Sequence, residues 1–422
     1  MDIVSLPRVS TIVLAVFVMS FAGYRAAAAD AARMLVVEAG KHARAGVPMS
    51  VAVADGAAKA KMRDGAKEIP CQVAEGKLWW ILDELAAGAT RTYAVEFGAE
   101  SSADAKSAAG ETRRGEAVEL KQTKETIDVT IDGKPFTTYH FTNPKIGAQQ
   151  LRRPYFWPVL GPDQAEMTRP WPCTDANLPA NVQKDHPHHT SLWVAYGEVN
   201  GVDNWSNGDK AGWQVHKEFQ AVASGPVVGY FRQALDWTAA DKKPNLAEVR
   251  TVRIYRLAHT GRVIDLEVAL QAKYGKVIFG DTKEGGIVST RMRSEFVSEK
   301  NLPGRLVNAQ GLAGAAAWGK RSEWCDCSGP VEGRKLGYAV FETPGNLRFP
   351  TWWHARTYGL LSANPFGTSS FEKGAQKGDY TLEADKELTL RYRLYFHAGD
   401  EKEGNVAARY ADYADPPKAT WK

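Results

Sequence analysis

Three of the chain's nine histidines fall within four positions, in Asp185-His186-Pro187-His188-His189-Thr190-Ser191-Leu192-Trp193. Pro187 keeps this segment out of helix. In an extended course His186 and His188 share a face, which suits two imidazole ligands on one metal, or one acid–base group beside an orienting partner, with Asp185 available to fix a tautomer. A cluster of titratable groups next to aromatic residues marks a candidate site, and ordinary hydrogen-bonded surface histidines are the alternative. The turn-rich stretch Gly197 to Trp205 follows and holds Asn200, Asp203 and Trp205.

Two further stretches carry chemistry. In Asp281-Thr-Lys-Glu284-Gly-Gly-Ile-Val-Ser-Thr-Arg291 a carboxylate and a guanidinium lie on opposite faces of a strand, so Glu284 and Arg291 meet only if the glycine pair bulges; surface salt bridges are the alternative for each. Pro350 to Phe366 concentrates Trp352, Trp353, His354, Arg356, Tyr358 and Asn364. Indole faces pack on the C–H faces of sugar rings while Arg and Asn bind hydroxyls or a carboxylate, so a carbohydrate cleft fits this composition, and an aromatic core is its rival. The candidate catalytic set is His186, His188, His189, Glu284, Arg291, His354 and Arg356, and the candidate substrate-binding set is Trp193, Asn200, Asp203, Trp205, Trp353 and Asn364. In the metal-dependent alternative, a hydrolase or oxygenase, His186 and His188 with His354 or Glu284 hold a divalent ion. In a third reading the aromatics bind glycans without catalysis.

The elements that must position these residues are strands. Of the 422 residues, 44% are hydrophobic and 24% charged, ordinary globular usage, and the net charge of +4 is too diffuse to argue for nucleic acid or an anionic membrane. Arg8, the apolar run Thr11 to Gly23 and Ala26-Ala-Ala-Ala29 read as a secretory signal over residues 1–29, shorter than a membrane span. The expected location is periplasmic or secreted, with no span after cleavage. Short alternating runs over 30–98 predict a small β-sandwich module, the Ala/Ser/Glu-rich 99–116 a linker, and 117–422 a large antiparallel β-sandwich carrying the catalytic site. The fold class is therefore all-β. The segment from Glu248 to Leu270 reads as a hairpin with one wet face. All four cysteines, Cys71, Cys173, Cys325 and Cys327, read as structural. The chain has no phosphate-binding glycine signature, no Gly-x-Ser-x-Gly elbow and no His-Glu-x-x-His helix.

Arg153-Pro-Tyr-Phe-Trp-Pro-Val, the segment Asp185 to Trp193, Gly197 to Trp205, Lys283-Glu-Gly285, Ser328-Gly-Pro330 and Pro350 to Phe366 together resemble a bacterial family of unknown function labelled methane-oxygenase PmoA-like. The pieces span roughly Gly133 to Gly399. The label itself implies a multispan helical protein, which this β-rich pattern is not, so a methane monooxygenase is not expected. Pro154-Tyr-Phe-Trp-Pro followed by the histidine-rich segment also looks like the galactose-mutarotase-like supersandwich group. That resemblance implies lyase or epimerase chemistry on a sugar or glycoside. One imidazole would be the general acid, Glu284 or a second His the base, and Arg291 or Arg356 would stabilise developing negative charge.

Overall fold

The computed structural model describes residues 1, 32–98, 117–146, 149–169, 186–257, 261–298 and 302–422. All of the expected signal except Met1, the linker, Cys173 and Asp185 lie outside the described residues. The architecture is all-β, built on two eight-stranded antiparallel sheets. The front sheet runs in the order Trp352–Trp353, Leu360–Asn364, Gly285–Arg291, Leu192–Tyr196, Tyr155–Val159, Lys134–His140, Thr126–Ile131 and Val118–Gln122. The back sheet contains, in order, Trp213–Ala223, Val228–Thr238, Pro244–Tyr255, Arg262–Gln271, Glu387–Ala398, Arg334–Glu342, Trp324–Val331 and Arg305–Asn308. No described helix is long and apolar enough to cross a membrane.

Between the sheets lies the main apolar core. Because side chains alternate along a strand, Leu192, Val194 and Tyr196 enter this core while Trp193 and Ala195 join a second cluster on the outer face of the front sheet, with Tyr155, Trp205 and Leu360. The outer face of the back sheet is already covered. Trp79 of the N-terminal module and Val406 of the helix Val406–Ala414 pack there against Tyr255, Val263, Phe341 and Tyr395. Glu75 of the module accepts two hydrogen bonds from the Arg253 guanidinium at 2.6 and 2.7 Å, and Gln72 Oε1 accepts from the Val227 and Val228 amides at 3.3 and 3.1 Å. The loops of the site therefore gather on the front sheet.

Two details differ from the sequence reading. The last strand, Lys418–Trp421, pairs with Arg33–Glu38 and completes a five-stranded sheet of the N-terminal module, so the stretch 117–422 is not all one sandwich. The predicted hairpin forms between Pro244–Tyr255 and Arg262–Gln271, but its charged residues are not all on a wet face. Leu246, Glu248, Arg250, Val252 and Ile254 share one face, and that face is the core. Glu248 and Arg250 are each 1% exposed and pair at 2.6 Å. The pair is fully bonded: Arg250 also donates to Tyr139 Oη and Gln214 Oε1, both at 3.1 Å, and the Trp237 indole donates to Glu248 at 2.6 Å.

Candidate functional site

Ser191, with φ 66°, precedes the strand that presents Trp193, and just before it the histidine loop folds against the outer face of the front sheet. A 3.0 Å bond from the His189 amide to the His186 carbonyl closes a turn that brings three imidazoles together. Ring centroids lie 4.6 Å apart for His186 and His189, 4.5 Å for His188 and His189, and 5.8 Å for His186 and His188. Aromatic neighbours complete the cluster. Tyr358 stacks on His186 at 5.0 Å, Trp193 on His189 at 5.3 Å, and Trp205 meets His188 and His189 edge-on at 5.7 and 5.3 Å. His186 and His188 are half-buried, whereas His189 is buried.

Guanidinium groups brace this loop. Buried Arg153 donates to the His188 carbonyl at 3.1 Å and to the Ser206 carbonyl at 2.6 Å, tying the histidine loop to the Trp205 loop. Arg169 donates to the His186 carbonyl at 3.2 Å, and Arg291 Nη1 lies 3.1 Å from His189 Nδ1. Because a guanidinium only donates, His189 Nδ1 accepts, and the neutral ring carries its proton on Nε2. Burial, then the neighbouring His188 and Arg291, hold the His189 pKa well below the ordinary imidazole value. Burial followed by Arg153 pushes His188 down to about 3, so its free-state imidazole is neutral with an available lone pair.

Around the loop the buried polar atoms without a hydrogen-bond partner among the described residues include Thr190 Oγ1, Trp193 Nε1, Trp205 Nε1 and Asn207 Oδ1. Such atoms are uncommon in folded proteins, and here donors and acceptors occur side by side. Sequence reading missed Arg153, Tyr358 and Asn207 as site residues. The first two lie inside segments already conspicuous for aromatic residues, but nothing in their spacing set them apart.

The remaining expected residues go elsewhere. Glu284 and Arg291 stand at opposite ends of Gly285–Arg291, and Glu284 pairs with Lys283 at 2.5 Å, so the glycine pair does not bring them together. His354 is buried and donates from Nδ1 to the Lys283 carbonyl at 2.6 Å; its ring neighbours are Trp318 and Phe371, not the histidine loop. A hollow shared by positions 186, 284 and 354 is therefore not formed. Trp353 is fully buried in the core and its indole donates to the Ser322 carbonyl, which leaves no face for a sugar. Asn364 is equally buried and spends its amide on Thr282, Gly285, Phe366 and Gly367. Asp203 caps its own turn through Trp205 N, Ser206 N and Ser206 Oγ, and Asn200 ties down the backbone of Lys276 and Ile278. Arg356 is exposed, with its Cζ 5.5 Å from the Tyr358 ring.

The metal set drawn from His186, His188 and His354 does not assemble, since His354 faces another cluster. Among the described residues no group of three His, Cys, Asp or Glu could hold an ion, and the guanidiniums around the loop oppose a dication. Cys325 and Cys327 are free thiols buried in the core, where burial raises both pKa values.

The buried His354 makes acid stability a readout. Burial pushes its pKa down from 6.5 to about 4, so between those values the unfolded chain binds the extra proton and stability falls as pH falls. The slope for one proton is about 1.4 kcal/mol per pH unit. In urea unfolding at stepped pH, His354→Gln is expected to flatten this limb relative to the native chain; parallel limbs would contradict the placement.

Among solved structures the chain is similar to a protein in the glycosyl hydrolase family 38 from Enterococcus faecalis, at 9% identity and TM-score 0.40, over 93% of this chain and 47% of that one. The chain thus spans about half the length of that protein. It is also similar to the alpha-galactosidase from Lactobacillus brevis, at 8% identity and TM-score 0.32, over 68% and 40% of the two chains, and to the Slr1438 protein from Synechocystis sp. PCC 6803, at 9% and 0.28, over 68% and 97%. Likenesses this remote carry no functional argument. No curated protein matches the chain. The model of the Family of unknown function (DUF6807) matches residues 126–411, which is most of the chain, and the protein belongs to that family.

Proposed function

We propose that the protein binds a carbohydrate or glycoside at the His186–His189 loop and acts on it by imidazole acid–base chemistry of the epimerase or lyase type. The observation that carries this reading is the set of unbonded buried polar atoms around the three imidazoles: the indole N–H groups of Trp193 and Trp205 need acceptors, while Asn207 Oδ1 needs a donor. A polyhydroxylated ligand supplies both, because each hydroxyl donates one hydrogen bond and accepts two. The half-buried rings of His188 and Tyr358 suit the C–H face of a sugar ring. The expected likeness to galactose-mutarotase-like enzymes belongs to this same reading.

His188 is the base in this scheme, since its neutral ring has a free lone pair and a half-exposed position. It takes a proton from the carbon next to a carbonyl, and the C–H electron pair moves into an enolate. Return of a proton from water on the other face gives the epimer, while His188 gives its proton to water. Alternatively the pair forms a C=C bond as the C–O bond at the next carbon breaks, and the leaving oxygen takes up the proton that His188 removed. His189, bearing its proton on Nε2 and held by Arg291, is the donor toward the developing oxyanion.

Incubation with a panel of neutral and acidic oligosaccharides tests this, with products followed by ultraviolet absorbance of an unsaturated sugar and by anomeric proton NMR. Turnover of at least one member is expected. Saturable binding without any product would favour a non-catalytic glycan-binding protein instead.

A further inference from the structure

We propose that the protein has a second ligand site, away from the histidine loop, which takes a small organic carboxylate with an apolar body. A cavity of about 300 Å³ lies where the N-terminal module, the outer face of the back sheet and the helix Val406–Ala414 meet. The module contributes the start of its strand Arg44–Ala52, the sheet Val263, Phe341, Arg393 and Tyr395, and the helix Arg409 and Asp412. That volume is at the small end of the range for ligand sites. The histidine loop sits on the outer face of the other sheet, so this site does not rest on the carbohydrate reading.

Strand register divides the lining into a polar and an apolar end. Arg393 lies between Phe341 and Asp265 in one row across the sheet, and Tyr395 lies beside Val263 in the row two residues further along. Two residues of strand span about 7 Å, a separation that a molecule with a single ring can bridge. Leu257, which packs in the same apolar cluster as Val263 and Tyr395, also lines the cavity.

The polar end is rigid and under-used. Arg393 is 8% exposed; Asp265 holds its Nε and Nη2 at 2.6 and 2.8 Å, and the Tyr413 ring lies 4.7 Å from its Cζ. Its Nη1 has no hydrogen-bond partner among the described residues. Arg409 spends Nη1 on the Ala45 carbonyl and on Asp412 Oδ2, 3.2 Å away, which leaves its Nε and Nη2 likewise without a partner among the described residues. The two buried acids are already taken. Asp265 also accepts from the Tyr255 hydroxyl at 2.8 Å, and Asp412 is clasped by Arg44 at 3.3 Å as well as by Arg409; Asp415, 3.9 Å from Arg44, is 69% exposed. Two guanidiniums from different elements thus bring unspent N–H donors to one cavity, and a carboxylate, which only accepts, satisfies both. An ammonium brings only donors and would be repelled.

Calorimetric titration of the full chain with phenylacetate, 2-phenylethanol and acetate tests the site. Phenylacetate should bind saturably and at least about tenfold more tightly than either of the others, which lack the carboxylate or the ring. Arg409→Gln should weaken phenylacetate about tenfold and leave 2-phenylethanol unchanged, whereas Val263→Phe, which fills the apolar end, should weaken both. Urea unfolding checks that each variant is folded, and if Val263→Phe is not, Arg409→Gln decides alone. Phenylacetate binding no tighter than 2-phenylethanol would overturn the carboxylate, and binding no tighter than acetate would overturn the apolar body. Absence of saturable binding up to about 10 mM, or full phenylacetate affinity in folded Arg409→Gln, would overturn the site itself.

Discussion

Alanine at His188 is expected to lower turnover of the substrate found in the oligosaccharide panel by roughly 10²–10⁴-fold, the range for removing a general base. The loss should be in kcat more than KM, because the imidazole acts on the moving proton rather than on the resting ligand. Stability should change little. His188 is half-buried, and the Arg153 brace holds its main-chain carbonyl, which alanine retains, so unfolding free energy should move by about 1 kcal/mol or less. Urea unfolding and steady-state kinetics on the same preparation check both halves. Full activity in His188→Ala would remove this residue from the chemistry, and collapse of the fold would make its role structural.

Arg250→Met should have the largest effect on stability, a loss of about 3–5 kcal/mol in urea unfolding, because it leaves the Glu248 carboxylate in the core without its cation. The environment leaves little escape: among the described residues Glu248 would keep only the Trp237 indole as a donor, while Tyr139 and Gln214 each lose a donor. Replacing both charged residues, Glu248→Leu with Arg250→Met, should recover a large part of that loss, since no ion is then stranded. A single variant as stable as the native chain would contradict the buried, fully bonded pair.

The same pair explains a limit on what the sequence discloses. From Glu248 to Arg256 polar and apolar residues alternate on neither face cleanly, so a period of two predicts the strand but not which face is wet. Strand identity was legible almost throughout, as in Thr126–Ile131 and Arg262–Gln271, because β-branched residues repeat between turn residues there. The return of Lys418–Trp421 to the N-terminal module was not, since four residues carry no signal of a partner strand at the other end of the chain, Arg33–Glu38.

The site was legible in part for a similar reason. The local cluster His186, His188 and His189 with Trp193 and Trp205 is close in sequence, and the fold brings it together. Contacts between distant segments were not readable. Arg291 reaches His189 whereas His354 and Glu284, from equally polar segments, meet each other's neighbourhood at Lys283 instead. Trp353 looked like a sugar platform because residue type does not reveal the pleat phase, and its side chain falls on the core side.

A crystal structure of the protein soaked with the oligosaccharide it turns over or binds most tightly tests the central claim most directly. A sugar ring is expected against His188 and Tyr358, with hydroxyls on the Trp193 or Trp205 indole nitrogen. A sugar seated elsewhere, with no atom in contact with His186, His188 or Trp205, would contradict it.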